Sequence, residues 1–237
     1  MKALLRTSSL CSGYGKLRVL FDVNFEAKRS EITVVVGPNG AGKTTLLNSV
    51  AGMATIHGGK ILLDGQEITG LQPYIVTKLG ISYVPQIGNV FAGLTVEENL
   101  KLACYGLPDY RVSEKLEEIY AMFPVLKTFA KRKAETLSGG ERRMLAIGMG
   151  LMRNPRVLLL DEITTDLAPV YVKKVLDKVV ELRDSLKLTV VLVEQYAARA
   201  LQIADRAYLL VSGRIKYEGD PASLASHPEL SKLYLGL

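Results

Sequence analysis

The turn Gly37-Pro38-Asn39-Gly40-Ala41-Gly42-Lys43-Thr44 follows the β-branched run Thr33–Val36 and leads into helix-forming sequence. Its spacing is G-x-x-x-x-G-K-[S/T] in the strand–turn–helix setting that this motif requires. Residues of these types hold the phosphates of a nucleotide. The glycines let the backbone N–H groups from Asn39 to Thr45 wrap the anion, and the helix start adds its partial positive charge. Lys43 is placed to reach the β- and γ-phosphates, and Thr44 to hold Mg²⁺. Such a metal needs a carboxylate partner. The run Arg156–Glu162, RVLLLDE, ends an apolar strand in Asp161 as that partner, and puts Glu162 where a general base would polarise an attacking water.

A second stretch, Thr136–Arg143 (TLSGGERR), reads as another helix start. Ser138 and Glu141 have capping-box spacing, and Met144, Ile147 and Leu151 continue an apolar stripe. Glycine in a helix costs about 1 kcal/mol relative to alanine, so an ordinary amphipathic helix gains nothing from Gly139 and Gly140. They leave Ser138 and two backbone N–H groups open to an anion. A second phosphate-binding helix start, in a chain that already has a complete one, implies a second subunit.

These residues must be positioned by a scaffold. Strands are expected at Val19–Phe25, Ile32–Val36, Lys60–Asp64, Ile81–Val84, Val157–Asp161, Leu188–Val193 and Ala207–Val211. The continuous apolar runs among them suit a parallel sheet buried on both faces. Helices are expected at Thr44–Gly52, at Thr95–Tyr105 behind a capping box, and at Ser113–Phe123. The segment 88–136 is read as an all-helical subdomain inserted into an α/β body made of 1–87 and 137–237.

The bulk composition agrees. The chain has 237 residues, 48% hydrophobic and 23% charged, with no tryptophan, which is globular rather than disordered. No apolar run approaches the roughly 18 residues of a membrane span. The opening MKALLRTSSLCSGYG has too little apolar sequence for a secretory leader. Cys11 and Cys104 stand apart, as reduced thiols do, and His57 and His227 are too isolated for a metal site. The net charge of +6 is scattered, as expected of a solvated surface plus a polyphosphate site.

The motifs, taken together, resemble the ATP-binding cassette (ABC) family over essentially the whole chain. Its marks stand in order as Gly37–Thr44, Gln86 in YVPQ, LSGGE at Leu137–Glu141, and VLLLDE ending at Glu162. The resemblance implies a P-loop ABC fold with a mixed core sheet, an N-terminal antiparallel β portion and the inserted helical subdomain. It implies that two cassettes face head to tail, each ATP held between the phosphate loop of one and Ser138, Gly139 and Gly140 of the other. Tyr14 matches the position whose ring stacks on adenine, though it also reads as an ordinary loop aromatic. Gln86 would touch Mg²⁺ or water and connect the site to the helical subdomain, where a membrane subunit docks.

Within the family the chain is similar to the ATPases of branched-chain amino acid importers. The text that carries this is VFAGLTVEENL, GGERRMLAIGMGLM, VLVEQYAARALQIADRAYLLVSGRI and the tail HPELSKLYLGL. The implied partners are a second cassette (another copy or a homologue), membrane permease subunits and, indirectly, an external solute-binding protein; no nucleic acid is expected. The implied place is the cytoplasmic face of the membrane. Several positions depart from the family pattern, among them the loop TTDLAP (164–169), which replaces a more typical SLGLAP at the expected dimer seam. Gln195 replaces a histidine that holds the γ-phosphate; glutamine donates a hydrogen bond but cannot carry the proton charge. Ile163 replaces a proline after Glu162, and Met149 an arginine. Two rival readings are a cassette for another solute and a non-transport cassette.

Overall fold

The computed structural model describes residues 3–105, 112–195 and 197–228. Tyr196 and the tail from Glu229, both part of the importer resemblance, lie outside the described residues. Among the described residues, ten strands form two sheets. One is antiparallel, in the order β2 (Leu17–Lys28), β1 (Ala3–Tyr14), β4 (Thr55–Leu63), β5 (Gln66–Glu67). The other runs β10 (Arg214–Gly219), β9 (Arg206–Val211), β3 (Ile32–Val36), β8 (Thr189–Glu194), β7 (Val157–Asp161), β6 (Ile81–Val84). It is parallel except for the β9–β10 hairpin at its edge.

Every residue of β3, β7 and β8 is buried, as continuous β-branched and leucine runs require. Their side chains alternate between two cores. Val34, Val36, Leu158 and Leu160 pack with the helices, while Val35, Leu159 and Val191 face the antiparallel sheet. Phe25 of β2 and Tyr208 of β9, ring centroids 4.9 Å apart, tie the two sheets together. The expected strands all form, with β4 beginning earlier, at Thr55. β1 escapes the sequence pattern because its register shifts repeatedly and Ser9 turns to φ +45°, which breaks the alternation.

The helices are α1 (Lys43–Val50), α2 (Pro73–Lys78), α3 (Val96–Ala103), α4 (Val112–Met122), α5 (Pro124–Thr128), α6 (Gly139–Leu151), α7 (Pro169–Leu186), α8 (Ala197–Ile203) and α9 (Pro221–Ala225). The predicted box at α3 is present, with Thr95 and Glu98 each bonding the other's backbone N–H. α3, α4 and α5 lie between β6 and β7 in the chain and pack through Leu100, Ile119 and Leu126 on Gly148 of α6. α7 begins at Pro169, whose missing N–H is harmless in a first turn. The carboxyl ends of β3, β7 and β8 therefore come together with the start of α1, which places the phosphate loop beside Asp161, Glu162, Glu194 and Gln195.

Candidate functional site

The phosphate loop is built around two close approaches. A Cβ on Gly37 would sit 2.0 Å from the Leu210 carbonyl of β9, so only glycine fits. The loop is also braced from the β9–β10 turn, where Gly213 N–H donates to the Ala41 carbonyl at 2.9 Å. α1 then starts at Gly42, in the left-handed region at φ 104°, with no side chain capping its first N–H groups. A helix start left this way has orphan donors for a phosphate.

Lys43 is 4% exposed. Its Nζ donates to the Gly37 and Pro38 carbonyls at 2.9 and 3.2 Å and lies 3.3 Å from Glu162 Oε1. Glu162 Oε2 accepts from Gln86 Nε2 at 3.0 Å. Thr44 Oγ1 donates to Asp161 Oδ1 at 3.2 Å. The structure thus brings Lys43, Thr44, Gln86, Asp161 and Glu162 into one hydrogen-bonded cluster. Burial pushes the Asp161 carboxyl up from its ordinary value, against the lowering pull of its bonds from Tyr83 and Thr44. Glu162 itself stands in the left-handed region at φ +46°.

Four residues of the site were not read from the sequence. Tyr83 donates to Asp161 Oδ2 at 2.9 Å, and burial pushes its own hydroxyl pKa up. Asn48, one turn beyond Thr44, donates to the Tyr14 hydroxyl at 2.8 Å and fixes a ring that is 43% exposed. Arg143 of α6 donates to the Gln86 carbonyl at 2.6 Å, which joins the LSGGE helix to the Gln86 segment. Glu194 accepts the Thr164 N–H at 3.0 Å and is 1% exposed. Tyr83 was visible in YVPQ, beside Gln86; the other three give no pattern, because folding alone sets their partners.

Ser138 caps α6 as its spacing predicts: its N–H donates to Glu141 at 2.8 Å and its hydroxyl accepts the Glu141 N–H. The two glycines also have a packing reason within the chain. A Cβ on Gly140 would meet the Tyr171 ring at 2.7 Å, and one on Gly139 the Leu167 side chain at 3.0 Å. This corrects the expectation that a plain helix gains nothing from them. Gln195, half-buried, follows Glu194 at the end of β8.

The residues fit Mg²⁺ on their chemistry. Thr44 and Asp161 present adjacent hard oxygens, and among the described residues no cluster of three or more acidic, histidine or cysteine groups forms a metal cage. Mg²⁺ is ordinarily bound in this way, by few protein oxygens plus phosphates and water.

The ABC transporter family model matches residues 20–165, from before the phosphate loop through Asp161 and Glu162. The chain belongs to the ABC transporter family, and it is an ATP-binding ATPase of that family. It is 51% identical to a probable branched-chain amino acid transport ATP-binding protein, LivF, of Archaeoglobus fulgidus, over 99% of each chain. It is 40% identical to the high-affinity branched-chain amino acid transport ATP-binding protein BraG of Pseudomonas aeruginosa, over 98% of this chain and 100% of that one. A solved ATP-binding cassette of an ABC transporter superposes with a TM-score of 0.88 at 26% identity, covering 98% of both chains.

Proposed function

We propose that this chain is the ATP-hydrolysing subunit of an importer for branched-chain amino acids. The 51% identity to LivF over 99% of each chain carries that reading. Phe91 and Ile87, exposed beside the Gln86 segment, and the groove lined by Met53, Pro73, Tyr83, Ala103 and Met149 suit docking of a permease helix. The protein then works at the cytoplasmic face of the membrane, with a second cassette, permease subunits and an external solute-binding protein. No described helix is long and apolar enough to cross a membrane.

Within the site each residue has a part. The N–H groups from Asn39 to Thr45 and the Lys43 ammonium hold the phosphates, and Tyr14 stacks on the adenine. Thr44, Asp161 and Gln86 would hold Mg²⁺, which neutralises charge on the phosphate oxygens. A γ-phosphate oxygen competes with Glu162 for Lys43, leaving the Glu162 carboxylate free to accept a proton from the attacking water. Gln195 donates to the γ-phosphate, and Ser138, Gly139 and Gly140 meet the neighbouring cassette's ATP. ATP-dependent assembly with the neighbour thus changes the Gln86 segment, through Arg143, on the face that meets the permease.

The test is reconstitution with the permeases and binding protein in vesicles. ATP-dependent uptake of leucine, isoleucine or valine is expected, and it should be absent with Lys43→Ala. Hydrolysis stimulated by another solute and by none of these three would contradict the substrate assignment.

A further inference from the structure

We propose that Glu194 is a positioning residue that fixes the Glu162 loop from the end of β8, and that its charge tunes the rate. This rests on Glu162 being the general base. Glu162 holds a left-handed backbone at φ +46°, a conformation that persists in a non-glycine residue only when its surroundings impose it. Two bonds do so, both from the end of one strand. Glu162 N–H donates to the Val193 carbonyl at 2.9 Å, and Thr164 N–H donates to Glu194 Oε1 at 3.0 Å.

Packing does not explain a glutamate here. Val190 to Val193 are apolar and buried, as is Ile163, and a buried carboxylate is costly to ionise. Its second oxygen, Oε2, is buried and makes no hydrogen bond among the described residues. Glutamine would satisfy the Thr164 N–H equally, so what glutamate adds is a charge. Burial pushes its pKa up to about 7 against the lowering pull of its bonds from Thr164; more weakly, Glu162 on the next loop adds to the rise and Arg143 of α6 opposes it. Asp166 and Arg199 line the same cavity. The ionised form accepts the N–H more strongly than the neutral acid, so the Glu162 loop is held tighter above neutral pH than below it.

The experiment measures steady-state hydrolysis by Glu194→Ala, Glu194→Gln, Glu162→Gln and unaltered protein from about pH 6 to about pH 8, alongside ATP affinity and melting temperature. Glu194→Ala should lower kcat about tenfold with KM for ATP within about twofold. Glu194→Gln should recover most of that rate and lose the rise of kcat with pH that the unaltered protein has over and above it. Wild-type kcat in Glu194→Ala, or a pH profile in Glu194→Gln that matches the unaltered protein, overturns the proposal. If Glu194→Ala fails to fold, the Glu194→Gln profile alone decides. Near-normal hydrolysis by Glu162→Gln would instead remove the general base, a separate failure.

Discussion

The molecule starts two helices at glycines, and they start differently. At α1 the cap is Gly42, with no side chain bonding the first turn and no acidic residue in it. At α6 the cap is Ser138, closed on Glu141 in a reciprocal box. The first leaves its donors to a ligand and backs them with the Lys43 ammonium. The second has used two of its donors and carries a carboxylate that repels anions. α1 can hold a triphosphate by itself; α6 can only complete a site that another surface has already charged with one. In the function proposed above, that asymmetry is the physical basis for two cassettes sharing each ATP.

Breaking the α1 side should have the largest effect. Lys43→Ala and Glu162→Gln are each expected to lower kcat by about 10²-fold or more, and Glu162→Gln should still bind ATP in a filter or fluorescence assay. Gln195→Ala should lower kcat by about tenfold only, because a neutral hydrogen bond to the γ-phosphate is lost and no proton acceptor is. Tyr14→Ala should weaken ATP binding by about 1–2 kcal/mol in titration calorimetry, the worth of one stacked base.

The α6 side yields smaller effects in the isolated protein. Gly140→Ala must displace the Tyr171 ring, which should lower stability by about 1–3 kcal/mol in urea unfolding. The pH dependence of stability sharpens the picture of the neighbouring loop. Folding raises the Glu194 pKa from 4.5 to about 7, so between those values the folded protein holds a proton that the unfolded chain has released. Its contribution is therefore lost as pH rises through that window, on the order of 3 kcal/mol in all. Glu194→Gln should remove that decline, and unfolding of both proteins at pH about 5 and about 8 checks it.

The sequence made the α1 side legible because its chemistry is local. Gly37 to Thr45 form one turn, and RVLLLDE is one strand with its end. Gln86 and Tyr83 sit together in YVPQ, yet only folding brings Tyr83 to Asp161. Arg143 on Gln86 and Glu194 on Thr164 join residues far apart in the chain, with no spacing to announce them. β1 was hidden by its bulges, and α7 and α8 were not read although they form the wall behind Glu194. For the glycines of α6, Tyr171 and Leu167 supply a second, packing reason that no local pattern contains.

The central claim, that Ser138–Gly140 belongs to a neighbour's ATP, is best tested by light scattering on the Glu162→Gln protein with ATP, alone and mixed with the second cassette of its transporter. We expect the mass to double on adding ATP, and the doubling to vanish when Gly139→Asp is added. An aspartate there suits the helix start but repels the partner's phosphates; the Leu167 side chain must give way to its Cβ, so the melting temperature should fall only slightly while ATP binding by the single protein holds. Undiminished ATP-dependent pairing in that double variant would contradict the account.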